Sequence, residues 1–210
     1  VLDSVDYRPF ADRCRSGELA PMDDIELIRA SQNGDLDSFN ELVRRYQKMA
    51  YGVAFRMLGD TQAAEDATQE AFFSAWRNIR RFRGGSFKAW VLQITANACR
   101  DQLRRLKRRP VVSLESLPYD PPSMSTESPE DYAVRKEMAE HVQTGLTTLS
   151  HEQRVAVVLC DIQGLSYEEV AEAMGCSLGT VKSRLNRGRT HLRDYFVKME
   201  LISTELRHNK

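Results

Sequence analysis

The sequence contains no run close to the roughly eighteen consecutive apolar residues that a membrane-spanning helix requires. Its acidic N-terminal region lacks the basic segment and apolar core of a secretion signal. Its four cysteines are far apart, form no C-x-x-C pair, and match no histidine at metal-ligand spacing. From these absences we expect a cytoplasmic protein with reduced cysteines, no membrane insertion, no bound metal and no cofactor.

The chain also lacks a net charge, since 30 basic residues balance 30 acidic ones. The charges are nevertheless segregated. The segment from Glu70 to Arg109 contains eleven lysines and arginines and two acidic residues. The segment from Ser177 to Lys198 contains six lysines and arginines and one acidic residue. Residues 1–44 and 110–140 are acidic. Two separate basic blocks predict contacts with a polyanion.

No stretch alternates apolar and polar residues as a half-buried strand does, whereas apolar residues recur at helical spacing. Residues 110–129 hold five of the seven prolines and cannot continue a helix. We therefore predict an all-α protein of two small helical domains joined by a flexible linker. Before the linker, helices are expected over Asp23–Asn33, Asp35–Leu58, Thr61–Phe82 and Ser86–Arg108. The expected divisions are an N-terminal extension at 1–22, a first domain at 23–109, the linker at 110–128, a second domain at 129–200 and a tail at 201–210.

The second domain carries the pattern of a helix-turn-helix. Ser166 and Glu169 have capping-box spacing at the start of a short helix, Tyr167–Met174. Gly175 is placed to end that helix, and Ser177 is placed to begin the next one. A short helix, a tight turn and a longer helix are typical of DNA-binding domains.

The helix after Ser177 has a polar face suited to DNA. Thr180, Ser183 and Arg187 lie on its outward side, with Lys182 and Arg184 beside them. Small residues at its first turn allow close approach to a surface, and the free amides of that turn suit phosphate. The long cations can reach base edges in a major groove. A merely solvated helix face is the alternative, and the adjoining capped helix makes DNA recognition the better interpretation.

In the first domain, the helix predicted at Thr61–Phe82 has a second face beside its apolar stripe. Asp66, Glu70 and Phe73 lie at its acidic and aromatic end, and Arg77 and Arg80 lie at its basic end. Acidic and basic charges separated in this way along one helix face indicate two different partners, although a solvated face remains an alternative.

The following helix aligns five polar side chains at steps of three and four, namely Gln93, Asn97, Arg100, Arg104 and Lys107. Carboxamides suit adenine edges, and arginine suits guanine or phosphate. Between the two helices, the stretch FRGGSF at residues 82–87 is a short glycine loop flanked by aromatic residues. Aromatic rings beside cations can hold unstacked bases, although most of these rings are expected to lie in the core.

Three stretches resemble one protein family. They are AEDATQEAFFSAWRNI (64–79), FRGGSFKAWVLQITANACRDQLRR (82–105) and LSYEEVAEAMGCSLGTVKSRLNRGRTHLR (165–193). They are similar to regions 2 and 4 of the extracytoplasmic-function sigma factors, the small two-domain members of the bacterial sigma-70 family. The resemblance covers about residues 23–198, with the regions in the right order around a linker.

The resemblance implies a transcription initiation factor without a catalytic site, which directs core RNA polymerase to promoters and assists DNA melting. It implies contacts with the β′ clamp helices and the β flap of core polymerase, with promoter DNA and with an anti-sigma factor. The implied core-binding residues are Asp66, Gln69, Glu70 and Phe73. The implied −10 residues are Arg80, Phe82, Arg83, Gly84, Gly85, Ser86, Phe87, Lys88, Asn97, Arg100 and Arg104. The implied −35 residues are Ser177, Thr180, Lys182, Ser183, Arg184 and Arg187.

Two other classes of protein stay open at this point. A stand-alone helix-turn-helix regulator would bind duplex DNA without polymerase, usually as a dimer on paired half-sites. Such a regulator has no need of the Asp66–Glu70 face or of the loop at 82–87. A regulatory interaction module could instead use the basic faces to bind an acidic protein. Dependence on core polymerase distinguishes the sigma factor from both.

Overall fold

The computed structural model describes residues 23–108 and 129–208, and all regular structure within these two ranges is helical. The predicted N-terminal extension and linker therefore lie outside the described residues. Within the described ranges, no helix is both long enough and apolar enough to cross a bilayer. The helices are α1 (Asp24–Gln32), α2 (Leu36–Leu58), α3 (Thr61–Asn78), α4 (Phe87–Arg108), α5 (Pro129–Thr147), α6 (His151–Val157), α7 (Tyr167–Met174) and α8 (Leu178–His208).

The all-α prediction is confirmed, and most helix ends have a local cause. Asp23, Asp35 and Asp60 each accept a backbone hydrogen bond at the start of α1, α2 and α3. Gly59 ends α2 with a φ of 74°, a conformation that costs glycine little. The predicted helix over 61–82 ends four residues early, because residues 79–81 tighten into a 3₁₀ turn.

Helices α1 to α4 form the first helical unit. Helix α3 contacts its neighbours through four buried alanines, Ala64, Ala67, Ala71 and Ala75, which allow close packing. Leu27, Leu42, Met57 and Leu92 are completely buried between the helices. This packing leaves the remaining faces of α3 and α4 available to partners.

Helices α5 to α8 form the second unit, with the predicted helix-turn-helix at α7 and α8. The predicted capping box of Ser166 with Glu169 is present, and Ser150 with Gln153 forms a second one at the start of α6. Gly175 takes a φ of 59° in the turn between α7 and α8. Between α6 and α7, a π-helical turn at Val158–Ile162 is a feature that the sequence pattern did not predict.

Helix α8 is longer than predicted. Residues 201–208 belong to the predicted tail, but in the structure they continue the helix as far as His208. The stretch from Arg189 to His208 contains no glycine or proline, so nothing in its sequence ends the helix earlier.

The two units pack against each other and share one hydrophobic core. The side-chain amide of Gln143 donates to the carbonyls of Phe55 and Arg56, at 3.2 and 3.4 Å. Arg154 Nη1 donates to the carbonyl of Met57 at 2.7 Å. Side chains of the second unit therefore hydrogen-bond to carbonyls in the last turn of α2, of which that of Phe55 also accepts the N–H of Gly59 at 2.8 Å.

Replacement of Arg154 by alanine is expected to loosen this contact. Arg154 is partly buried and also donates through Nη2 to the carbonyl of Thr147 at 2.9 Å. The substitution leaves the carbonyls of Met57 and Thr147 without the guanidinium donor. It should therefore lower the free energy of unfolding by about 1–3 kcal/mol. Urea unfolding measures the change. The exposed Arg193→Ala serves as the control, and equal stability of the two variants would show that the Arg154 contacts contribute nothing.

Cys99 is the most buried of the described cysteines, and its burial predicts chemical inertness. It is completely buried, and burial raises the pKa of its thiol to about 12. Because the thiolate is the reactive form, Cys99 should resist alkylation by iodoacetamide at pH 8 in the folded protein and react in urea. Peptide mass mapping gives the readout, with the partly exposed Cys176 as internal reference. Labelling of Cys99 in the folded protein at the rate of Cys176 would contradict the burial.

Candidate protein and nucleic-acid interfaces

The first candidate surface, which we name the α3 acidic face, consists of Asp66, Gln69, Glu70 and Phe73. All four side chains are exposed, and Phe73 retains 67% of its accessible surface. Glu70 faces Arg105 of α4 at 3.4 Å, a solvent-exposed ion pair that contributes little to stability. An exposed aromatic ring beside carboxylates fits a partner that offers apolar and basic side chains.

An apolar groove of about 330 Å³ borders the α3 acidic face. Its apolar lining comes from α2 and α3, and Leu36 at its edge is 54% exposed. The lining side chains are Leu36, Phe39, Val43, Phe72, Phe73 and Trp76. The sequence pattern did not predict this groove. Helical periodicity places Leu36 and Val43 on one apolar face of α2, but it does not show that a gap separates α2 from α3.

The second candidate surface is the glycine loop between α3 and α4. Arg83, Gly84 and Gly85 are exposed, and the two glycines take φ values of 106° and 88°. Non-glycine residues rarely adopt such angles, so a side chain at either position would strain the loop. The loop therefore projects a short, open backbone segment beside an arginine.

Phe82 and Phe87, which the resemblance counts among the −10 residues, lie in the core, as the sequence leads us to expect for most of these rings. These rings are 9% and 3% exposed, and each packs on Trp90, with centroid distances of 5.1 and 5.6 Å. In this conformation they lie beneath the loop as part of the core, because three aromatic rings bury more apolar area together than any one would on the surface. The residues of this loop that can contact a base are therefore residues 83–86.

The candidate −10 face of α4 points toward the second unit. Asn97, Arg100 and Arg104 are exposed on one side of the helix. A polar cavity of about 240 Å³ separates this side from the helix-turn-helix, and Arg184 of α8 lines its other wall. Burial lowers the pKa of His151 in the same cavity, so His151 is neutral at pH 7 and the positive charge comes from the arginines.

The loop is also held by the second unit. Lys88 Nζ donates to the carbonyl of Gln163 at 2.7 Å. The backbone N–H of Ser166 and the hydroxyl of Ser86 lower the pKa of Glu169, which is therefore ionised at neutral pH. Two of the predicted −10 residues thus contact the second unit, and the predicted −10 and −35 faces border a single cleft.

The third candidate surface is the exposed side of α8. Ser177 caps the helix by accepting the N–H of Thr180 at 3.2 Å, and the two hydroxyl oxygens are 2.9 Å apart. Val181 and Leu185 are buried against the unit's core. The opposite side exposes Lys182 and Arg187, while Ser183 and Arg184 are partly buried. The helix N-terminus and the cations therefore face solvent together, as predicted.

The candidate −10 residue Arg80 makes a hydrogen bond within its own unit. Its Nε donates to the carbonyl of Gln32 at the end of α1, at 3.2 Å. The guanidinium is otherwise exposed. The side chain can thus fix the start of the glycine loop and still present donors to a phosphate.

Comparison with known families gives two matches that coincide with the two helical units. The model of Sigma-70 region 2 matches residues 42–109, and the model of Sigma-70 region 4 matches residues 140–192. The first range contains the α3 acidic face and the glycine loop, and the second contains the helix-turn-helix.

Several curated proteins are similar over most of the chain. The ECF RNA polymerase sigma factor SigE of Mycolicibacterium smegmatis is 41% identical over 165 residues, a match that covers 78% of this chain and 63% of SigE. The RNA polymerase sigma-H factor of Pseudomonas aeruginosa is 36% identical, over 79% of this chain and 90% of the relative. The ECF RNA polymerase sigma-E factor of Haemophilus influenzae is 34% identical, over 79% and 91%.

Two solved structures share the fold. One is CnrH in complex with the cytosolic domain of CnrY, with a TM-score of 0.62 and 26% identity, covering 83% of this chain and 97% of CnrH. The other is the sigma factor RpoE in complex with the anti-sigma factor NepR from Bartonella quintana. Its TM-score is 0.60 at 25% identity, over 77% of this chain and 98% of that one.

Proposed function

The chain belongs to the extracytoplasmic-function sigma factors of the sigma-70 family, and we propose that it directs core RNA polymerase to promoters through the surfaces described above. The observation that carries this proposal is the presence of all three surfaces in one chain. An exposed acidic and apolar face, a glycine loop over an aromatic floor and a helix-turn-helix follow one another along the sequence. A stand-alone regulator needs only the last of these.

The α3 acidic face is the proposed docking surface for the β′ clamp helices of core polymerase. Phe73 and the apolar groove would bury against the partner, and Asp66 and Glu70 would meet its basic side chains. The second unit would contact the β flap. Charge complementarity of this kind accelerates association and fixes the orientation of the partners.

The glycine loop is the proposed site at which the −10 element is opened. Residues 83–86 would receive a base extruded from the duplex, since capture of a flipped base offsets the cost of unstacking it. Lys88 would contact the adjoining phosphates. Asn97, Arg100 and Arg104 would contact the duplex just upstream, with Phe82 and Phe87 supporting the loop from below.

Helix α8 is the proposed reader of the −35 element. Its N-terminal turn at Ser177 and Thr180 would lie on a phosphate, while Lys182 and Arg187 would reach into the major groove. Ser183 and Arg184 would contribute at the edges of the same face. The chemistry of RNA synthesis stays with the polymerase, so we assign this chain no catalytic site, and we place it in the cytoplasm with the polymerase.

The closed arrangement of the two units has a consequence for regulation. The faces proposed to bind the −10 and −35 elements border one cleft, and Lys88 is engaged across it. We propose that the units separate when core polymerase and promoter bind. Because RpoE of Bartonella quintana was solved with an anti-sigma factor, we further propose that an anti-sigma factor holds this chain away from polymerase.

Promoter-fragment binding with and without core polymerase tests the proposed function. We expect specific binding only when core polymerase is present. Tight binding of the same duplex by the isolated chain, unchanged by core polymerase, would favour the stand-alone regulator.

Arg187→Ala is expected to weaken −35 recognition. The side chain is exposed on the outward face of α8, so its removal should not alter packing. If Arg187 reads a base, promoter recognition should lose about 1–3 kcal/mol, and preference for the −35 sequence should relax at one position. Transcription from templates with single −35 substitutions measures this. Unchanged −35 preference in the variant would remove Arg187 from the set of reading residues.

A further inference from the structure

An ion pair outside the proposed DNA-binding residues ties helix α8 to the rest of its unit. Arg189 Nη2 donates to Asp161 Oδ1 at 2.6 Å, and its Nε donates to Asp161 Oδ2 at 3.0 Å. Arg189 Nη1 lies 3.4 Å from the hydroxyl of Tyr167, the first residue of α7. The hydrogen bonds that Arg189 donates to Asp161 also raise the pKa of Arg189. One guanidinium thus contacts both segments that precede the recognition helix.

The position of Arg189 on α8 separates it from Arg187. It follows the buried Leu185 by four residues, which places the two on the same face of the helix. Arg187 lies on the opposite side, because two residues correspond to about 200° of helical rotation. Arg189 therefore faces the π-helical turn that contains Asp161, while Arg187 faces solvent.

The ion pair lies beside a close crossing of α8 and α6. A Cβ at Gly188 would be 2.8 Å from Val157 Cγ2, so α8 touches α6 at this residue. Apolar packing at Val181, Leu185 and Gly188 holds α8 on its unit, but this packing is non-directional and restrains rotation of the helix less than a directional hydrogen bond does. A two-point hydrogen bond from the next residue to Asp161 restricts that rotation, and Arg187 and Lys182 move with the helix.

We propose that Arg189 and Asp161 are positioning residues for −35 recognition, which set the rotation of α8 so that its reading side chains meet the correct bases. This inference rests on the proposed function, since it assumes that α8 reads the −35 element. Arg189 acts through the orientation of the helix and makes no contact with DNA itself.

The proposal predicts a specific pattern in transcription assays that use the full chain and core polymerase. Arg189→Lys keeps the charge but cannot donate two parallel hydrogen bonds, and Asp161→Asn removes the acceptor charge. In both variants, discrimination between the intact −35 element and a substituted one should fall about five- to tenfold. Arg193→Lys is the matched control, since Arg193 is 71% exposed and pairs only with its neighbour Asp194 at 3.4 Å. It should leave discrimination unchanged.

Two further measurements separate positioning from a direct phosphate contact. Each phosphate contact contributes about 0.9 to the slope of log affinity against log salt. A positioning role leaves the slope unchanged in Arg189→Ala, whereas loss of a phosphate contact lowers it by about one. The charge-swapped double variant, Arg189→Asp with Asp161→Arg, should recover discrimination toward the wild-type level.

Unchanged discrimination in Arg189→Lys and Asp161→Asn, or a lower salt slope in Arg189→Ala, would overturn the proposal. Circular dichroism and thermal melting verify that each variant is folded. Tyr167→Phe removes only the 3.4 Å hydrogen bond, and a smaller loss of discrimination in this variant is expected even if a charge variant fails to fold. A wild-type chain that ignores the −35 element would instead contradict the proposed function.

Discussion

Gly188→Val is expected to destabilise the second helical unit by about 1–3 kcal/mol, because it overpacks the crossing of α8 and α6. A Cβ at this position would lie 2.8 Å from Val157 Cγ2 and 3.6 Å from the Gln153 carbonyl oxygen. Val157 is 3% exposed and belongs to the hydrophobic core. Valine has a better helix propensity than glycine, so the whole loss must come from the displaced packing.

Gly52→Ala is the matched control, since it also replaces a glycine within a helix. Its Cβ would meet only the side-chain amide of Gln163 at 3.5 Å, an ordinary contact with the end of a flexible side chain. This variant should gain up to about 1 kcal/mol from helix propensity. Urea unfolding of both variants gives the comparison. A Gly188→Val variant that is as stable as wild type would show that the two helices do not approach as closely as described.

The double substitution Asp66→Ala with Glu70→Ala is expected to weaken binding to core polymerase by about tenfold or more. Interfacial charge pairs have coupling energies of about 1.5 kcal/mol and above when they are desolvated, so loss of two such pairs has a large effect. The free energy of unfolding should stay unchanged. Both carboxylates are exposed, and the Glu70–Arg105 pair at 3.4 Å is solvated on both sides.

Competition against a labelled sigma factor for core polymerase measures the loss. Glu65→Ala is the control, because Glu65 is exposed on the same helix but lies outside the α3 acidic face. A double variant that competes for core as well as wild type does would refute the docking assignment. A parallel loss in Glu65→Ala would indicate general electrostatic attraction instead of a defined surface.

The helices could be predicted from the sequence because their causes are local. Asp35, Ser166 and Gly175 begin or end helices through hydrogen bonds to residues within four positions along the chain. Helical periodicity identifies the buried faces. The helix-turn-helix and the exposed side of α8 follow from the same signals. Here the pattern of one segment is sufficient, and the structure agrees to within a few residues.

Features that depend on distant contacts could not be predicted. The ion pair between Asp161 and Arg189 joins residues 28 positions apart. The contact of Arg154 with Met57 uses a backbone carbonyl, which every residue possesses and no sequence pattern marks. The contact of Phe82 with Trp90 beneath the loop likewise depends on the packing of α3 against α4.

The most direct measurement is promoter-specific run-off transcription with purified core polymerase, with and without this chain. Templates taken from the DNA upstream of its own operon are the first choice, because such factors often drive their own genes. The account predicts discrete transcripts that require both core polymerase and the chain and that disappear when the −35 or −10 element is substituted. Absence of such transcripts, together with tight binding of the same duplex without polymerase, would contradict it.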